Sequence, residues 1–179
     1  MLEIDNTVLL LIDMQDRLFR AMHEKEDLLE NVRRLILGVR ALGIPIVMSE
    51  QYPEGIGKTI PEVASILPDT TGIRKMSFSC CANRQCNEAL SFTERNQVLI
   101  AGIEAHVCVY QTAMDLQEGG YQVQVVADAV SSRAPRNRDI ALQKMRDSGI
   151  EITSVEIALF ELLKTAEAPK FREISKILK

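Results

Sequence analysis

The hydrophobic positions along this chain switch repeatedly between two periods. Thr7-Val8-Leu9-Leu10-Leu11-Ile12 is an unbroken run closed by Asp13, the pattern of a strand buried on both faces of a parallel sheet. Leu28, Val32, Leu35, Ile36, Val39 and Leu42 then fall on one helical stripe, stopped by Gly43 and by Pro45 beyond it. Ile44–Ser49 reads as a second strand, its proline tolerable at the first positions. Glu50–Gly72 carries Pro53, Gly55, Gly57, Pro61 and Pro68 without a sustained period, apart from a short helix at Pro61–Leu67, and predicts a lid or binding loop. A third strand is expected at Gly72–Phe78, a helix at Arg84–Glu94, a fourth strand at Gln97–Ala101 and a helix at Val109–Gly119. Tyr121–Asp128 is the fifth strand, Arg136–Ser148 a helix ended by Gly149, and Ile150–Thr153 a sixth strand, short and half polar as an edge should be. Helices at Val155–Lys164 and Lys170–Leu178 complete the chain. Strands alternating with helices predict one three-layer α/β/α domain over residues 1–179, with a mostly parallel sheet covered on both faces.

Composition narrows the function classes. A chain of 179 residues buries roughly two-thirds of its unfolded surface in one core. A formal charge of −4 leaves no basic footprint for nucleic acid or an anionic membrane. No apolar run is long enough for a membrane span, and the acidic start Met1-Leu2-Glu3-Ile4-Asp5 lacks the basic region of a signal peptide, which predicts a cytoplasmic protein. Of the four cysteines, Cys80, Cys81 and Cys86 share a seven-residue window that fits neither a two-disulfide framework nor a paired C-x-x-C zinc site. Reduced thiols are the expectation; a zinc site through Cys81, Cys86 and a histidine lacks the spacing that would support it.

The chemistry concentrates in Gly102-Ile103-Glu104-Ala105-His106-Val107-Cys108, where a strand turns into a helix with a cysteine at the joint. Unpartnered N–H groups and the positive end of a helix dipole favour thiolate there, whereas a cysteine on its own is as readily a small buried hydrophobe. Ligands of open α/β sheets bind outside the carboxyl ends of the strands. Asp13 ends the first strand, Lys75 lies on the third and Cys108 follows the fourth, so an acid, a base and a thiol from three strands converge at one rim. Singly, Asp13 also fits a helix N-cap and Lys75 an exposed edge charge.

These residues carry a resemblance. Leu10-Leu11-Ile12-Asp13-Met14-Gln15, the lysine of Arg74-Lys75-Met76-Ser77-Phe78, and Gly102 to Val109 with Thr112-Ala113 are similar to the isochorismatase-like cysteine hydrolase superfamily. Within it the chain most resembles the isochorismatase domain-containing proteins, through Glu50-Gln51-Tyr52-Pro53, Val126-Ala127-Asp128 and Pro169-Lys170-Phe171-Arg172-Glu173-Ile174. The resemblance implies a six-stranded, Rossmann-like sheet of order 3-2-1-4-5-6 and an Asp13-Lys75-Cys108 triad. It also implies a cis peptide between Ile103 and Glu104, and an oxyanion hole made by the Glu104 and Cys108 N–H groups. The activity implied is cysteine amidohydrolysis of a small carboxamide through a thioester. Cys108 argues against vinyl-ether cleavage, which proceeds without a cysteine nucleophile. Nicotinamidases of the superfamily bind a metal through Asp-x-His and further histidines after the second strand. This chain has Ser49-Glu50-Gln51-Tyr52 there and only His23 and His106 elsewhere, so no metal or other cofactor is expected. Gln15, Phe19, Tyr52 and His106 are candidate pocket walls. The side chain of Glu104 is expected to turn away toward a basic partner. A homo-oligomer is expected from the family. Two other classes remain open on the same fold: a thiol redox sensor using Cys108 with the Cys80, Cys81 and Cys86 cluster, and a binding scaffold without turnover.

Overall fold

Every position of the strand β1 (Thr7–Ile12) is buried, and alternate side chains feed two different cores. Leu9 and Leu11 pack with the helix α2 (Lys25–Ala41) on one face of the sheet; Val8, Leu10 and Ile12 pack with residues of α5 (Arg84–Phe92) and α6 (Tyr110–Glu118) on the other. That double burial explains why the run has no polar alternation. The computed structural model describes residues 1–179, and its six strands form one sheet, all parallel, in the order β3-β2-β1-β4-β5-β6. The others are β2 (Ile46–Gln51), β3 (Ile73–Lys75), β4 (Gln97–Ile103), β5 (Gln122–Ser131) and β6 (Glu151–Thr153). Helices α2, α8 (Val155–Leu163) and α9 (Phe171–Ile177) cover one face; α5, α6 and α7 (Pro135–Asp147) cover the other.

The helical stripe is as expected: Leu28, Val32, Leu35, Ile36 and Val39 of α2 are buried against the sheet. The segment before it holds α1 (Asp16–Phe19), and the long excursion after β2 holds α3 (Pro53–Ile56) and α4 (Pro61–Ala64). A single antiparallel bridge, Gln15 to Thr59, clips that excursion to the end of β1.

Several boundaries differ from expectation, among them β2, shifted to Ile46–Gln51, and β4, which runs on to Ile103; three further differences shape the site. β3 stops at Lys75 instead of Phe78, because the chain beyond turns back and offers the Ser77 and Phe78 carbonyls to the Lys75 ammonium. β5 runs on to Ser131: its register against β4 jumps from Ile100↔Val125 to Gly102↔Val130, so a bulge at 126–129 lets the strand resume pairing. A five-residue π-helical turn, Ala105–Val109, precedes α6, placing Cys108 within the turn.

β1 and β4 are neighbours, yet their onward connections lead to opposite halves of the sheet. That is the topological switch point, where open α/β sheets leave a crevice. Gly102 makes the close approach possible there. Its φ is +116°, and a Cβ would lie 2.0 Å from the Ile12 carbonyl oxygen.

Candidate active site

Asp13, Lys75 and Cys108 come together at the switch point. Asp13 follows β1 with φ +50°, and its buried carboxylate is held from both sides: Ser49 Oγ donates to Oδ1 at 2.8 Å and Lys75 Nζ to Oδ2 at 2.7 Å. The short helix α1 begins at Asp16 with Gln15 in the capping position, so Asp13 is not an N-cap. Lys75 ends β3 with its side chain wholly buried, and is not an edge charge. Burial pulls its pKa down, but the negative charges available at Asp13, Cys108 and Cys80 outweigh it, and the net displacement is upward. The ammonium therefore keeps its proton in the interior.

Cys108 is 5% exposed. Burial, then the Asp13 charge, push its pKa well above that of a free thiol, against the pull of Lys75. The bias toward thiolate expected at a helix start is reversed: the surroundings favour the protonated thiol, beside a carboxylate able to take the proton. The helix-end argument fails because Cys108 is the fourth residue of a π-turn packed into the core, where loss of solvation exceeds the favourable dipole.

The nucleophile turn is gripped from outside. The Ile103–Glu104 peptide is cis. Glu104, 7% exposed, turns its carboxylate to Arg133, accepting from the Arg133 N–H at 3.0 Å and from Nε at 3.1 and 3.2 Å. The Glu104 N–H has no acceptor within the protein. One residue earlier, Ser132 Oγ lies 2.9 Å from His106 Nδ1, and Ser131 Oγ donates to the His23 carbonyl at 2.7 Å. Ser131, the last residue of β5, pairs with Ile103, and Ser132 and Arg133 just beyond it hold His106 and Glu104, so three consecutive residues fix this side of the turn.

The other candidate wall residues divide. Gln15 is fully buried and spends its amide on backbone: Oε1 accepts from the Gln51 N–H at 2.7 Å, and Nε2 donates to the Gln51 and Gly57 carbonyls at 2.9 and 2.5 Å. It ties β1, β2 and the following loop together and lines no open surface. Phe19 is half-buried and packs on the core beneath α2. Tyr52 is 43% exposed and its N–H donates to the Lys75 carbonyl at 3.0 Å, which puts its ring beside the site's rim. His106 is half-buried against Ser132.

Two residues absent from the sequence expectations are central. Ser49 and Gln51 lie at i and i+2 at the carboxyl end of β2, on the same face, and reach Asp13 and Lys75. Polar side chains in alternation at the end of a buried strand beside β1 are the signal that would have found them. Behind Lys75 lies Cys80, fully buried; a hydrogen bond from Cys86 and the nearby ammonium hold its pKa below the ordinary value. Cys81 is pushed up to about 11 by burial. All four cysteines are free, and no group of three metal-ligating side chains converges.

The arrangement contains a thiol, a carboxylate to receive its proton, a fixed cation and an unpartnered N–H. Comparison with known proteins places it. The isochorismatase domain model matches residues 7–157. Isochorismatase domain-containing protein 2 of Danio rerio is 38% identical over 179 residues, spanning 99% of this chain and 89% of its own. A secreted isochorismatase effector of Phytophthora sojae is 37% identical over 97% of this chain and 85% of its own. The solved structure of a MAR1 ribonuclease from Caenorhabditis elegans superposes with a TM-score of 0.93 at 35% identity, over 99% of this chain and 91% of that one. Domain match, identity along the chain and shared strand order agree, and the chain belongs to the isochorismatase family.

Proposed function

We propose that the protein is a cysteine amidohydrolase acting on a small carboxamide, with Cys108 as nucleophile, Asp13 as the proton carrier and Lys75 as the fixed charge that holds Asp13 in place. The observation that carries this reading is the buried Asp13–Lys75 ion pair whose charges act on the buried Cys108 thiol. Asp13 takes the thiol proton as sulfur bonds to the carbonyl carbon, and the carbonyl π electrons move to oxygen. The oxyanion is received by the Glu104 and Cys108 N–H groups; a single donor of this kind is worth about 3–4 kcal/mol. Collapse breaks the C–N bond, and the amine leaves with the proton from Asp13. Water then gives a proton to Asp13 and its oxygen to the thioester carbon; the second collapse returns the proton to sulfur and releases the acid. No metal or organic cofactor enters this scheme.

The exposed rings of Tyr52 and Phe78 and the Met76 side chain stand on backbone tied to Lys75 and Gln51, and support a substrate with a small apolar acyl part. The same apolar residues beside the edge strand β3 support a homo-oligomer. The net charge of −4 and the buried thiol argue against the ribonuclease activity named for the C. elegans relative. The test is release of ammonia from a panel of primary carboxamides, with single-stranded RNA as a parallel substrate. Turnover of an amide by wild type, lost in Cys108→Ala and in Asp13→Asn, supports the reading; RNA cleavage with no amide turnover contradicts it. A thiol-redox role is favoured by one observation, the lowered pKa of Cys80 beside Lys75. A disulfide formed reversibly by peroxide, with no amide turnover, would select it.

A further inference from the structure

An ammonium group has three N–H donors, and in Lys75 all three are committed inside the protein. Asp13 Oδ2 accepts one at 2.7 Å and Gln51 Oε1 a second at 2.8 Å, while the third is shared by the Phe78 carbonyl at 3.1 Å and the Ser77 carbonyl at 3.3 Å. Gln51 is itself locked. Its Nε2 donates to the Met76 carbonyl at 2.9 Å, which fixes the orientation of the amide and leaves the oxygen facing the cation. Its N–H and carbonyl are both held by the Gln15 amide. The Gln15 amide holds the backbone of Gly57 and Gln51, and the buried side chains of Gln51, Lys75 and Asp13 are paired in sequence.

We infer that Gln51, braced by Gln15, is a positioning residue that fixes the Lys75 ammonium against Asp13 and the thiol and withholds it from substrate. The inference rests on the proposed nucleophilic role of Cys108. Lys75 accordingly acts through its field alone, and no hydrogen bond from it remains for a substrate carboxylate or carbonyl. Without the Gln51 oxygen one buried N–H loses its acceptor, and the ammonium gains freedom to swing away from the thiol. The groups that face Cys108 and set its titration are Asp13 from the end of β1, Lys75 from β3 and Cys80 from the segment before α5; the Glu104–Arg133 pair lies on the far side of the turn.

The test reads the thiol without any substrate. Iodoacetamide labelling rates of Cys108, followed by peptide mass mapping at fixed pH values from about 7 to 9, are compared in wild type and Gln51→Met. The expected result is a rate–pH profile displaced upward by about one pH unit in the variant, read as labelling about tenfold slower at any one pH in that range, the size of effect that a displaced neighbouring charge produces. A folded Gln51→Met protein with the wild-type profile would overturn the inference, since a merely structural glutamine would change thermal stability and leave the titration in place. Should that variant not fold, 15N-ζ-lysine labelling of the wild type decides. One slowly exchanging ammonium signal at neutral pH supports a locked Lys75; its absence overturns it. Acyl trapping on Cys108 is a separate measurement, so a protein that fails to acylate yet shows the shifted profile loses its hydrolase reading and keeps this one.

Discussion

At the scale of single residues, the site is a cation and a carboxylate sealed from water with a thiol beside them. Breaking a buried pair leaves an uncompensated charge, which costs about 3–5 kcal/mol. Lys75→Met is therefore expected to lower unfolding stability by about that amount in urea titration, while Cys108→Ser, which keeps a small polar group facing Asp13, changes it by less than about 1 kcal/mol. Asp13 and Cys108 were legible in the sequence as reactive types that follow apolar runs, and Lys75 as a cation on a short third strand that the resemblance singled out. Their neighbours were not. Serine at 49 and glutamine at 51 show only as polar alternation at a strand end and arginine at 133 shows no pattern at all, and what recruits them is contact between segments that are distant in the chain. The thiolate bias expected at Cys108 is reversed for a related reason: sequence shows the helix start and not the depth of burial that outweighs it.

At the scale of elements, the nucleophile turn is a short segment clamped at both ends. On the strand side, Gly102 lets β4 approach β1 more closely than any side chain allows. Gly102→Ala forces a methyl group into the Ile12 backbone at a φ that alanine resists, and is expected to cost more than about 3 kcal/mol, read as a fall in the urea midpoint. On the helix side, the clamp is Arg133 on Glu104. Arg133→Met leaves the core untouched, since the Arg133 side chain is 65% exposed, but leaves the Glu104 carboxylate only the backbone N–H of residue 133 and lets the Glu104 N–H drift. The expected outcome is acylation slowed by about tenfold with little change in thermal midpoint, measured by single-turnover kinetics; this is less than loss of a whole oxyanion donor. The strands and helices were readable from periodicity, whereas the π-turn and the β5 bulge were not, because both are exceptions to the periods on which such reading depends.

At the scale of the whole molecule, the sheet order brings ends of β1, β2, β3 and β4 to one rim, and the helices on both faces keep that rim dry. Dryness has a consequence for pH. Cys108 and Lys75 both hold their protons to higher pH in the folded chain than at their ordinary values of 9.0 and 10.5. The stabilisation this represents is complete below the unfolded values and is lost as pH rises through and beyond them. Thermal midpoints are thus expected to be level near neutrality and to fall from about pH 9 upward, with a shallower fall in Cys108→Ala; Cys81, pushed up to about 11, adds to the slope in both proteins. The strand order itself is not encoded in any local pattern: periodicity supplied six strands and their alternation with helices, and only the resemblance supplied how they lie side by side.

The most direct test of the central claim is the intact mass of wild type and Cys108→Ala after brief exposure to small carboxamides and activated esters, quenched in acid. The account predicts a mass increase equal to the acyl group in wild type, mapped to the peptide containing Cys108 and absent from the variant. Equal labelling of both proteins, or an adduct mapped to Cys80, Cys81 or Cys86 alone, would contradict it.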